Sequence, residues 1–143
     1  WKGYDDPVHN VDDRTHQMIY ENLRTQLHQN FNNRAVFVRD FSYSLPVLWE
    51  SKNMPNPSFI FIDNIPSAQA VVQDITSWWP LLSEGGIMAG FHHWNNRLVN
   101  PVYSAVQSFF GNISLQVHSA TSDQERAIWF VSKPFSTVLT ECN

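Results

Sequence analysis

The chain has 143 residues, 43% of them apolar and 14% aromatic, enough for one domain with a packed core. Its formal charge is −4, and its Lys and Arg residues are scattered, so no basic face is available for a phosphate backbone or an anionic membrane and nucleic-acid binding is not expected. No window approaches the roughly 20 consecutive apolar residues of a spanning helix, and no basic-then-apolar leader opens the chain, so membrane association is not expected either.

The chain opens on Trp1 rather than on Met, the pattern of a processed product or of part of a longer protein. Cys142, the single cysteine, lies beside the C-terminus and has no internal partner, which agrees with a reducing, cytoplasmic setting. The triplet Asn112-Ile113-Ser114 would be glycosylated only in a secreted protein. The compartment stays open between these two.

Residues 1–12, "WKGYDDPVHNVD", read as a loop leading into a helix. In "DRTHQMIYENLRTQLHQN", Met18, Ile19, Leu23 and Leu27 recur at helical spacing, with Asp12 or Asp13 able to cap the start. "AVFVRD" (35–40) is a β-branched and aromatic run with strand character. In the segment that follows, Pro46, Pro55 and Pro57 discourage long regular structure. "SFIFID" (58–63) is apolar on both strand faces, the pattern of a central strand buried in a parallel sheet.

From 67 to 82, Ala68, Val71, Val72, Ile75, Trp78, Trp79 and Leu82 hold helical spacing, and Gly85 can stop the helix in a left-handed conformation. "GIMAGF" (86–91) is the next strand. "NPVYSAVQSFFG" (100–111) is a helix with Asn100 as N-cap, Pro101 at its first position, Val102, Val106, Phe109 and Phe110 facing in, and Gly111 beyond its end. "ISLQVHSA" and "RAIWFVSK" form an antiparallel pair about the polar turn "TSDQE". Strand, helix, strand, helix and hairpin together predict an α/β sandwich.

In open parallel sheets ligands sit beyond the carboxyl ends of the strands. Those ends carry Asp40 and Ser42, then Asp63 and Asn64, then His92 and His93. With strands 58–62 and 86–91 as neighbours, Asp63 and His92 share one rim and could share a proton or a divalent cation, though two groups are fewer than a metal takes. His92 titrates in the range of a general base. His93 follows it directly, and only a turn immediately after Phe91 would bring both imidazoles together. Trp78, Trp79 and Trp129 fall on apolar faces and belong to the core, whereas Trp94, on the rim, is placed to stack on a ligand. Gly85-Gly86 follows a helix and opens a strand, the reverse of a phosphate loop. For Asp63 a purely structural alternative is to cap the helix that follows, and Asp74, within that helix, reads as a structural contact.

"FIFIDNIPSAQAVVQDITSWWPLLSEGGIMAGFHHW" resembles the back half of a class I S-adenosylmethionine-dependent methyltransferase, and most of all the methyltransferase domain of small-molecule and sugar O-methyltransferases. The positions that carry the resemblance are Ile62-Asp63, Val71 with Asp74, Trp78, Pro80-Leu81-Leu82, Gly85-Gly86 and Gly90. "WKGYDD" is similar to the segment after that group's second strand, and "AIWFVSKP" to its final strand. The chain departs from the pattern at Asn64, Pro66, Ala68 and Phe91-His92, where the group carries Gly, His, Tyr and His-Asp. It has no Gly-x-Gly, so the group's first strand and cofactor loop have no counterpart.

The resemblance implies a Rossmann-like methyltransferase sandwich lacking its first strand, a mostly parallel sheet with a C-terminal antiparallel hairpin, spanning 1–143 as one domain. It implies S-adenosylmethionine as cofactor and a small molecule or sugar as methyl acceptor. Asp63 and His92 would then be the catalytic or metal-binding pair, Asp40 and Ser42 the cofactor side, and His93 and Trp94 the substrate side. The alternative is a methyltransferase-like module without chemistry, whose open sheet edge pairs with another copy, as an oligomer or filament, or with an N-terminal piece.

Overall fold

The computed structural model describes residues 11–32, 34–63, 67–93, 101–121 and 126–136. They fall into two units, Trp1–Asp40 and Phe41–Asn143.

The first unit is built on helix α1 (Asp13–Phe31). Asp12 caps it: its carboxylate accepts the Thr15 N–H at 2.8 Å and the Thr15 hydroxyl at 3.1 Å, and these bonds hold its pKa below the ordinary carboxylate value. Asn32, in the left-handed region at φ 45°, ends the helix by donating its N–H to the His28 carbonyl. Residues 35–39 form no strand, correcting the sequence expectation. A strand exists only by pairing, and this run instead lays Phe37 against Tyr20, with ring centroids 5.0 Å apart, while Arg39 bonds Gln17 at 2.8 Å. Val36 and Val38 are exposed, as are Met18, Ile19 and Leu23 of the expected apolar helix face.

The second unit holds the sheet. A 3₁₀ turn (Ser42–Ser44) leads into helix α2 (Leu45–Ser51), where irregular structure was expected. Pro46 sits in the first helical turn, where its missing N–H costs nothing, and Pro55 and Pro57 lie beyond the helix end. Then come β1 (Phe59–Ile62), α3 (Ala68–Trp78), β2 (Ile87–His93), α4 (Pro101–Asn112), β3 (His118–Thr121) and β4 (Arg126–Ser132).

The strand order is β1-β2-β4-β3. β1 and β2 are parallel with Ile62 opposite Gly90, whereas β4 runs antiparallel to both β2 and β3. β1, β2 and β3 therefore share one direction, and β4 alone is inserted against them. This is the expected α/β sandwich with its terminal hairpin.

The core lies on one face of the sheet, where Ile62, Met88, Trp129 and Val131 meet Val71 and Ile75 of α3 and Val102, Val106 and Phe110 of α4. These are the residues that helical and strand periodicity select. Gly90 is required here: a Cβ would stand 2.7 Å from the Ile62 carbonyl oxygen and 2.8 Å from the Trp129 ring. Its lack of a side chain lets the indole cross the sheet.

β1 departs from the expectation of a central buried strand. Among the described residues it lies at the sheet edge, and Phe59 and Phe61 are 59% and 38% exposed on the face opposite the core. α3 also stops earlier than expected, at Trp78 rather than 82, because Pro80 cannot donate to the helix ladder. The chain turns on through 79–84 to Gly85, which has the expected left-handed φ of 71°. The carbonyls of Trp79, Pro80 and Leu82 all accept from the Lys133 ammonium, at 3.1, 3.0 and 2.6 Å, so the end of β4 is tied to the end of α3. α4 runs through Gly111 to Asn112, and the left-handed residue beyond it is Ser114, at φ 59°. Asn100 and most of the turn 121–125 lie outside the described residues.

Candidate functional site

The parallel pairing of β1 with β2 puts Asp63 one residue past the Ile62–Gly90 pair, on the same rim as the end of β2. β2 continues in extended form through His93, paired with Arg126, so no turn follows Phe91. The side chains of His92 and His93 lie outside the described residues, as do Asn64 and Trp94. Among the described residues no group of three or more His, Cys, Asp or Glu gathers as a metal site would require.

Asp63 is exposed. The structural role open to it was to cap α3, but Ser67 holds that position, its hydroxyl accepting from the Ala70 N–H at 3.5 Å. Asp63 instead lines a groove of about 450 Å³ that runs the length of β1, bounded by Phe59, Ile60, Phe61 and Ile62, by Ser42 and Trp49, and by Asp74 and Trp78 of α3.

One wall of the groove is held by hydrogen bonds between residues far apart in sequence. The Ser42 hydroxyl donates to Asp74 Oδ1 at 2.5 Å, and the Ser42 carbonyl accepts the Trp78 indole N–H at 2.8 Å. Asp74 is buried, on the same helical stripe as Val71 and Ile75. Its polar side chain is tolerated there because it is hydrogen-bonded. Trp49 packs edge-on to Trp78 with centroids 5.8 Å apart and donates its own N–H to the Pro55 carbonyl at 3.0 Å.

Of the residues singled out in the sequence, the structure brings Ser42 and Asp63 into one groove. Asp40 ends the first unit and is not among the groove residues. Asp74 makes the structural contact expected of it. Sequence reasoning missed Trp49, although a lone Trp in a polar, Pro-rich stretch is a signal worth following. Trp78 packs against the core as expected but also faces the groove.

No family model matches this chain. No curated protein matches it in sequence. Among solved structures, it is similar to a candidate rRNA-methylase of Clostridium thermocellum, with a TM-score of 0.59 and 14% identity over 88% of this chain and 70% of that one. It also matches a candidate SAM-dependent methyltransferase of Streptococcus mutans, with a TM-score of 0.44 and 14% identity over 66% of this chain and 30% of that one. At this identity the first match speaks for the fold alone: the α/β arrangement of this chain is similar to that of the Clostridium thermocellum protein.

Proposed function

We propose that the chain is part of an S-adenosylmethionine-dependent methyltransferase that methylates a hydroxyl group of a small molecule or sugar. The observation that carries this reading is Asp63, exposed at the carboxyl end of β1 in the groove it shares with Ser42, without the helix-capping task that would otherwise explain it. In this reading Ser42 and Asp40 serve the cofactor side, and Asp63 with His92 orients the acceptor and takes its proton. His93 and Trp94 contact the acceptor. Methyl transfer is an in-line displacement, so most of the acceleration comes from holding sulfonium and acceptor in line.

The Clostridium thermocellum relative is described as acting on rRNA. For this chain a small acceptor is favoured, because its net charge is −4 and none of the described residues lining the groove is Lys or Arg. Calorimetric titration of the intact protein with S-adenosylmethionine tests the reading. Heat of binding is expected, and transfer to hydroxylated acceptors should drop at least about a hundredfold in Asp63→Ala if that carboxylate acts as a base. No heat of binding overturns it.

A second reading is favoured by the exposed aromatics of β1: a non-catalytic module whose copies join, as an oligomer or filament, through β1, the edge strand among the described residues. Light scattering over a range of concentrations would then show a defined oligomer. A monomer at every concentration overturns that reading.

A further inference from the structure

Among the described residues that line the groove, the polar side-chain atoms belong to Ser42, Asp63, Asp74 and the Trp49 and Trp78 indoles. The two carboxylates can only accept hydrogen bonds, and both indole N–H groups are already given to backbone carbonyls, of Pro55 and Ser42. Ser42 is the one group that could serve either way. Its proton, however, is held by Asp74 at 2.5 Å, and the turn that carries it is pinned by Trp78 through the Ser42 carbonyl. Its oxygen therefore keeps only lone pairs to offer.

We propose that Asp74 sets the polarity of this groove through Ser42: it fixes the serine hydroxyl as an acceptor, so at that contact the groove takes a hydroxyl, amino or ammonium donor of the ligand and turns away phosphate or carboxylate oxygens. Asp74 is a positioning residue, and Ser42 is the specificity-determining contact. The inference rests on the methyltransferase reading for the identity of its ligand, since adenosylmethionine is rich in donors and its sulfonium is cationic. A carboxylate paired with a serine does more here than bury a polar helix residue: a serine free to rotate would accept from one ligand and donate to another, whereas the paired serine discriminates between them.

The test is calorimetry on the full chain with three probes: adenosylmethionine, adenosine, and the purine nucleoside analogue lacking the amino group and both ribose hydroxyls. Wild type is expected to prefer adenosine over the analogue by about tenfold, the worth of one good hydrogen bond. Ser42→Ala should narrow that preference by the worth of the Ser42 bond, the Asp63 carboxylate still accepting, Asp74→Asn, which can orient the serine either way, should narrow it less, and Ser42→Thr should retain it. A merely structural role would lower affinity for both nucleosides alike and leave their ratio unchanged. Circular dichroism on each variant reports folding, and Ser42→Ala, at an exposed residue, keeps the test open if Asp74→Asn does not fold. Should wild type bind adenosylmethionine but show no preference, or Ser42→Ala keep the preference undiminished, this inference fails and the methyltransferase reading stands. Should wild type bind no adenosylmethionine, the methyltransferase reading fails and takes this inference with it.

Discussion

The two faces of the sheet differ sharply. On one, Met88 and Trp129 are fully buried beneath α3 and α4, with Val131 beside them. On the other, Phe59, Phe61, Ile87 and Phe91 are each more than a third exposed. The residue types are alike on both sides, so composition does not separate them; what does is that α3 and α4 pack over one of them. Parallel pairing normally comes with both faces covered. The face beneath α3 and α4 holds the core of this unit, while on the other face the aromatic side chains of β1 and β2 stay partly exposed.

The comparison is broken most forcefully at Trp129. Trp129→Ala should cost about 3–5 kcal/mol in urea unfolding, because the cavity opens under two helices. Trp129→Phe should cost clearly less: the indole N–H has no hydrogen-bond partner among the described residues, so mainly volume is lost. Equal losses in the two variants would mean that the N–H matters after all. Gly90→Ala, at the same crossing, should destabilise by about 1–3 kcal/mol, since the new methyl meets a backbone oxygen that cannot move aside.

Lys133→Met keeps the aliphatic stem and removes the ammonium that three carbonyls share, and a loss of about 1–3 kcal/mol is expected. Native-state hydrogen exchange should localise the loosening to 79–86. Phe59→Ser, on the uncovered face, should change monomer stability by less than about 0.5 kcal/mol, and a larger loss would show that this face is covered in solution.

The smallest effect concerns pH. Glu84 accepts from the Ser136 hydroxyl, which together with Lys133 nearby holds its carboxyl below the ordinary value. A carboxyl depressed in the folded state stabilises above its unfolded pKa and loses that contribution as pH falls through its folded pKa. Melting curves of Ser136→Ala and wild type should therefore differ slightly at neutral pH and converge in acid. A gap that widens on acidification would contradict the contact.

Much of this was legible in the chain. The caps at Asp12 and Gly85, the stripe Val71–Ile75 and the inward residues of α4 all depend on neighbours within a few positions, and so does the placement of Asp63 at a strand end. Short-range geometry sets them, because helices and strands repeat every few residues. The candidate site was half legible: Asp63 follows from strand-end logic, whereas Ser42 was named for the end of a strand that does not form, and their meeting in one groove was not foreseen.

The sequence by itself determined α1, α3, α4 and the strands of the sheet, the core residues of α3 and α4, and that the fold is α/β. Tertiary structure alone decided that residues 35–39 pack beside α1 without joining the sheet, that β4 inserts between β2 and β3, and that β1 lies at the edge of the sheet formed by the described residues. It also decided that Ser42 meets Asp74 and Trp78 across 32 and 36 residues of chain, and that Lys133 closes the end of α3. The reason is physical. Local propensity acts through neighbours a turn or a pleat away, whereas strand pairing and buried polar contacts depend on which distant segment arrives, a choice made by packing of the whole unit.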